Sequence, residues 1–291
     1  FVERAAKKTR HPVLLSLWRD WLLLGIGLLH ALLWEGDILV VYALCAPFVL
    51  ALRKRRPQTL LAVGVFLVLV GSTIAIAVQQ SLPPNGQGLG RYWFVEATAM
   101  STAVETYLTV DVFSRSLGMM LIGVALYRLG IVQGTRSPSY YRAMSRLGLG
   151  VGLPIAAGGA LFQAMQGYSS DIALVGQIPI TVATIPIALG YFGLITLWNQ
   201  RPATPFNIRV RDVGRMALTN YLMQTVLGII ILRGLLERGD LTRTGIALFV
   251  VVVWVAQLSW SKAWLARFWF GPVEWLWRVA TYRRYQPLRR T

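Results

Sequence analysis

His30, Glu35 and Asp37 bring an imidazole and two carboxylates into eight positions of an otherwise apolar stretch, bracketed by Trp34 and Tyr42. Ionisable groups are costly in hydrocarbon, so within a membrane segment they mark a site by default. An imidazole changes charge near neutral pH and suits proton transfer, and a carboxylate can fix its orientation. His30 and Asp37 are therefore the candidate catalytic pair, with Trp34, Glu35 and Tyr42 as substrate-binding candidates around them. A solvated turn at Glu35-Gly36-Asp37 beside a packed, hydrogen-bonded imidazole satisfies the same pattern.

Three further polar features need partners. Arg115 follows Asp111 by four residues, the spacing of neighbours on a helix face, so an ion pair competes with a substrate contact there. Arg215 and Thr219, and likewise Asn220 and Gln224, are four apart and form a polar stripe that must face protein or water. Arg215, Asn220 and Gln224 join the substrate-binding candidates, against a plain interhelical hydrogen-bonding role for the two amides. No metal centre is expected, since Cys45 is the lone cysteine and His11 and His30 are the only histidines.

The elements that must position these groups are membrane helices. The 291 residues are 55% hydrophobic and 14% charged, with a mean hydropathy of +0.55, too apolar for a soluble domain of this length. Eight apolar runs, at about 13–34, 38–52, 59–79, 112–131, 147–165, 172–197, 213–236 and 244–266, predict an all-α polytopic transmembrane bundle forming a single domain. The run 38–52 reaches only about 22 Å as a helix; snorkelling by Arg53, Lys54, Arg55 and Arg56 makes up the mismatch. Gly118 and Gly123 predict close helix approach in the fourth run. Pro154, Pro179 and Pro186 predict kinks in the fifth and sixth.

A net charge of +17 could suit nucleic acid, but its distribution points to topology instead. The connections 1–12, 53–58, 132–146, 198–212 and 267–291 hold 20 Lys and Arg, while 35–37, 80–111, 166–171 and 237–243 hold 3. The positive-inside rule puts the first set, and both ends of the chain, on the cytoplasmic side, so the His30–Asp37 turn opens outward. The long outer connection, with Arg91-Tyr92-Trp93-Phe94, suits a lid or an interfacial helix. Residues 267–291 predict a cytoplasmic interfacial helix turned by Gly271-Pro272, its Trp269, Trp275 and Trp277 at headgroup depth, followed by a basic tail that meets anionic lipid. Membrane lipids are the expected partners and nucleic acid is not.

Three blocks carry a resemblance. Gly27-Leu28-Leu29-His30-Ala31-Leu32-Leu33-Trp34-Glu35-Gly36-Asp37 is the first, Leu117-Gly118-Met119-Met120-Leu121-Ile122-Gly123 the second, and Gly214-Arg215-Met216-Ala217-Leu218-Thr219-Asn220-Tyr221-Leu222 with Gly271-Pro272-Val273-Glu274-Trp275 the third. Together they resemble the YeiB-like family of bacterial inner-membrane proteins, itself similar to a wider superfamily of membrane acyltransferases. The resemblance implies further spans ahead of Phe1, so the chain reads as the C-terminal part of a longer family domain. It also implies an acyltransferase acting on an envelope glycan or lipid acceptor, with an acyl-CoA or acyl-lipid donor and no permanently bound cofactor. His30 would then serve as base, Asp37 would orient it, and Arg215, Asn220 or Gln224 would steady the oxyanion or donor. A transporter or flippase lined by the same polar groups, and a membrane protein without chemistry, are the alternatives.

Overall fold

Proline punctuates the apolar runs and sets where helices begin. In the computed structural model, which describes residues 5, 9–34, 36–83, 87–89, 99–235 and 242–290, five helices open on proline: α1 (Pro12–Ala31), α3 (Pro57–Ser81), α5 (Pro138–Met165), α7 (Pro205–Arg215) and α10 (Pro272–Tyr282). Proline lacks an N–H that the first turn would leave unpaired anyway, and its fixed φ suits that position. The other helices are α2 (Leu39–Leu52), α4 (Thr102–Arg128), α6 (Ile178–Asn199), α8 (Ala217–Gly228), which continues as a π-helical turn over Ile229–Leu235, and α9 (Arg243–Arg267). Ser101, Ser137, Thr204 and Thr242 accept backbone N–H bonds as N-caps of α4, α5, α7 and α9.

Six helices among the described residues are long and apolar enough to cross a membrane, and Leu39–Leu52 and Ala217–Ile231 are shorter apolar ones. Their outer faces carry large apolar side chains such as Leu29, Leu32, Phe66, Leu147 and Leu248, which water would penalise and acyl chains accept. The fold is an all-α polytopic membrane bundle. Two predicted spans start too late: α4 begins ten residues before 112 and α5 nine before 147. A third, 213–236, is interrupted at Met216 (φ −113°, ψ 28°). Pro154 and Pro186 lie inside continuous helices, whereas Pro179 sits in the first turn of α6, where it interrupts no helical bond. Glu35, Arg91-Tyr92-Trp93-Phe94, most of residues 1–8 and residues 236–241 lie outside the described residues, and with them the predicted lid.

The chain forms two compact units, one of Phe1–Leu44 with Pro202–Thr291, the other Cys45–Arg201. In the second, helices approach through glycine. A Cβ on Gly64 would lie 2.8 Å from Gly118 O, and one on Gly118 would lie 2.6 Å from Gly64 O, so α3 and α4 cross at backbone contact. Gly123, by contrast, faces open space. Between α5 and α6 a Cβ on Gly148 would meet Pro186 O at 2.5 Å. Gln79 ties α3 to the turn before α6, donating to Ser170 O (3.1 Å) and accepting from Leu174 N (2.8 Å).

In the first unit, α1 packs on α10. The Trp18 indole donates to Ala280 O (3.0 Å) and that of Trp277 to Arg19 O (3.1 Å), with the Arg19 guanidinium 4.5 Å above the Trp277 ring. The break between α7 and α8 is capped on both sides. Asn220 Nδ2 donates to Val213 O (3.1 Å), near the end of α7. Glu274, reaching in from α10, accepts from Thr219 N (3.0 Å) and the Thr219 hydroxyl in the first turn of α8. The two halves of the third sequence block that carries the family resemblance, 214–222 and 271–275, thus meet here. Gly271 lacks the Cβ that would sit 2.2 Å from Glu274 Oε2.

Candidate functional site

His30 occupies the last turn of α1, and the chain then reverses so that Asp37 precedes α2. The reversal presses against α1 at Gly27, one turn before His30, where a Cβ would lie 2.8 Å from Val40 N and 3.1 Å from Asp37 Oδ2. Asp37 Oδ2 accepts from Val40 N at 2.9 Å, capping the first turn of α2. Its other oxygen faces His30, with Nδ1 and Oδ1 2.7 Å apart. Both side chains are nearly sealed, at 3% and 2% exposure.

The fourth wall comes from α8. Tyr221 OH donates to Asp37 Oδ1 (3.2 Å), and its ring lies 5.0 Å from that of His30. Thr225, one turn on, places Oγ1 2.9 Å from His30 Nε2. A carboxylate only accepts, so the network assigns the ring proton to Nδ1; in the neutral ring Nε2 then accepts from the Thr225 hydroxyl. Carboxylate, imidazole and hydroxyl stand in line, the arrangement by which an imidazole takes a proton from an oxygen nucleophile.

The family model described as protein of unknown function (DUF418) matches residues 126–284. The uncharacterised protein YeiB of Escherichia coli (strain K12) is 32% identical over 94% of this chain and 79% of its own length. The uncharacterised protein YxaH of Bacillus subtilis (strain 168) is 28% identical over 99% of this chain and 76% of its own. An uncharacterised 39.9 kDa protein in the amylase 3′ region of Bacillus acidopullulyticus is 29% identical over 99% and 77%. The chain belongs to the DUF418, YeiB-like family. No solved structure matches it. The stretch that matches the DUF418 model contains Tyr221 and Thr225 and begins after His30 and Asp37.

Among the other polar candidates of this DUF418 chain, the structure shows distinct uses. Asn220 is buried at the contact of α8 with α9, donating to Ser261 Oγ (3.1 Å) and accepting from the Trp260 indole (2.7 Å). Gln224 donates to Gln257 Oε1 (3.2 Å), and Gln257 in turn to Asn220 O (3.1 Å). The Asn220–Gln224 stripe therefore faces α9, while the neighbouring stripe, Tyr221 and Thr225, faces His30 and Asp37. Arg215 is spent on Asp212 (3.3 Å) and Trp269 O (3.2 Å) at the helix break. In the other unit Arg115 pairs with Asp111, whose carboxylate fills the space that Gly71 leaves open. Trp34 and Tyr42 are exposed beside the turn.

Sequence reasoning missed Tyr221 and Thr225. Their own four-residue spacing was legible, but both are ordinary residues for a membrane helix. What distinguishes Thr225 is a partner 195 positions away.

Proposed function

We propose that this protein is an integral-membrane acyltransferase in which His30, oriented by Asp37, accepts a hydroxyl proton during transfer of an acyl group to an envelope glycan or lipid. The observation that carries the reading is the sealed His30 ring held by a carboxylate at Nδ1 and a hydroxyl at Nε2. A merely structural histidine needs partners, but it does not need this order of them, which matches what activation of an oxygen nucleophile requires. The donor in this reading is an acyl-CoA or acyl-lipid; Trp34 and Tyr42, both exposed, and Glu35 remain the substrate-binding candidates. Arg215, Asn220 and Gln224 then serve packing within the unit that holds the site, and Arg115 packing within the other, since each already has protein partners. In this reading the membrane is a bacterial inner membrane, and the charge asymmetry supports both ends cytoplasmic and the His30–Asp37 turn outward.

A second reading, transport, draws on one observation: Thr225 lies on a helix interrupted at Met216 and continued by a π-helical turn at Ile229, and irregular helices often border substrate paths. One experiment separates the two. Vesicles carrying the protein are given acetyl-CoA labelled in its acetyl group, and the label is followed into glycan and lipid. Transfer predicts alkali-labile label on a membrane product, lost in His30→Gln. Label released unbound in the lumen, or product labelling unchanged in His30→Gln, contradicts the proposal.

A further inference from the structure

We infer that Thr225 Oγ1 is the nucleophile that carries the acyl group, so that transfer passes through a covalent acyl-threonine ester; the inference rests on the acyl-transfer reading above. Access to the base singles out Thr225. The side chains of His30 and Asp37 are 3% and 2% exposed, and both ring nitrogens are already occupied. An acceptor hydroxyl could reach Nε2 only by displacing Thr225. Thr225 itself is half-buried, so it is the member of the line of three with surface left for a substrate.

The hydroxyl is also used unusually. Threonines in membrane helices commonly back-bond to the carbonyl four residues earlier, which satisfies them without a second helix. In this chain Thr109, Thr184, Thr196 and Thr281 do so, at 2.6–3.1 Å. Thr225 Oγ1 pairs instead with a base on a different helix. An oxygen held against an imidazole that is itself oriented by a carboxylate is an activated nucleophile.

The steps balance without a redox partner. Thr225 Oγ1 bonds to the carbonyl carbon of the thioester or ester donor while His30 Nε2 takes its proton. The carbon–sulfur or carbon–oxygen bond to the leaving group then breaks, and His30 returns the proton to that leaving group. Once esterified, Oγ1 has no hydrogen to donate and leaves Nε2 open, so the acceptor hydroxyl next gives its proton to His30 there and bonds to the same carbon. The bond to Oγ1 breaks, and Oγ1 recovers the proton from His30.

The test uses the purified full chain in lipid nanodiscs with p-nitrophenyl acetate and with acetyl-CoA. We expect a burst of p-nitrophenolate close to one per chain and an acetyl group located on Thr225 by peptide mass spectrometry. Thr225→Ser should keep both. Thr225→Val should lose the adduct and slow transfer by about 10²-fold or more, with the melting temperature recorded to show that the variant is folded. A wild-type chain that transfers acetyl without acetylation of Thr225, or a Thr225→Val chain with an undiminished burst, overturns the inference. In that event, loss of transfer in His30→Gln still upholds the base role, whereas transfer surviving in His30→Gln removes the parent reading as well.

Discussion

The His30 ring is gripped from both ends, and the two grips have different consequences. Asp37 is held in turn by Val40 N and Tyr221 OH, so its carboxylate cannot swing away from Nδ1 without leaving buried donors unpaired. Asp37→Asn should keep the fold and lower acyl transfer by about 10²- to 10⁴-fold, the range of a misoriented general base. Tyr221→Phe removes one of three bonds to Asp37 and should cost about 1 kcal/mol in stability; transfer should fall far less than in Asp37→Asn, read in the same labelled assay. Gly27→Ala tests the scaffold rather than the chemistry. Its methyl would lie 2.8 Å from Val40 N, backbone that cannot rotate aside, so the turn must shift and the melting temperature should drop, a cost of about 1 to 3 kcal/mol.

Helices pack within their units by two devices, glycine contact and cross-capping. In the second unit Gly148 lets α5 touch α6 at Pro186 O, and Gly148→Val should lower the detergent melting temperature markedly, while Gly150→Val, which faces open space, should not. In the first unit Glu274→Gln weakens the charged cap on α8, and a loss of about 1 to 2 kcal/mol should appear in denaturant titration. The spans were legible because apolar runs dominate them, but their starts were not. The first turns of α4, from Thr102 to Asp111, are too polar for hydropathy, and Ser101 was the cap that announced them. Ser137-Pro138 announced α5 in the same way. The break at Met216 has no proline or glycine at the broken position, and the carboxylate that caps the helix after it is Glu274, 55 positions from Thr219, so local pattern could not show it. The pairing of His30 with Asp37 was readable from a short separation and complementary chemistry. The pairing with Thr225 was not.

For the whole molecule, lipid is the solvent, and the C-terminal segment shows how protein and bilayer share it. The tail is not simply a loose basic strand: Trp269 N donates to Leu288 O, Arg290 N to Arg267 O, and the Trp275 indole to Gln286 O. Trp275 and Trp277 therefore spend their indole N–H groups on carbonyls of the chain, while Trp269 stays exposed. Removing residues 282–291 should weaken binding to vesicles containing anionic lipid, measured by co-sedimentation, and should also loosen the rest of α10, seen as faster amide exchange over residues 273–281. Equal binding would assign the tail to packing alone.

The line Asp37–His30–Thr225 is the claim on which the rest depends, and the tautomer of one ring tests it. Protein carrying His11→Gln and ¹⁵N-labelled histidine, reconstituted in bilayers, leaves His30 as the single labelled ring for solid-state NMR. A proton on Nδ1 and, for the neutral ring, a hydrogen-bonded lone pair on Nε2 are expected. A neutral ring protonated on Nε2, with Nδ1 bare, would contradict it.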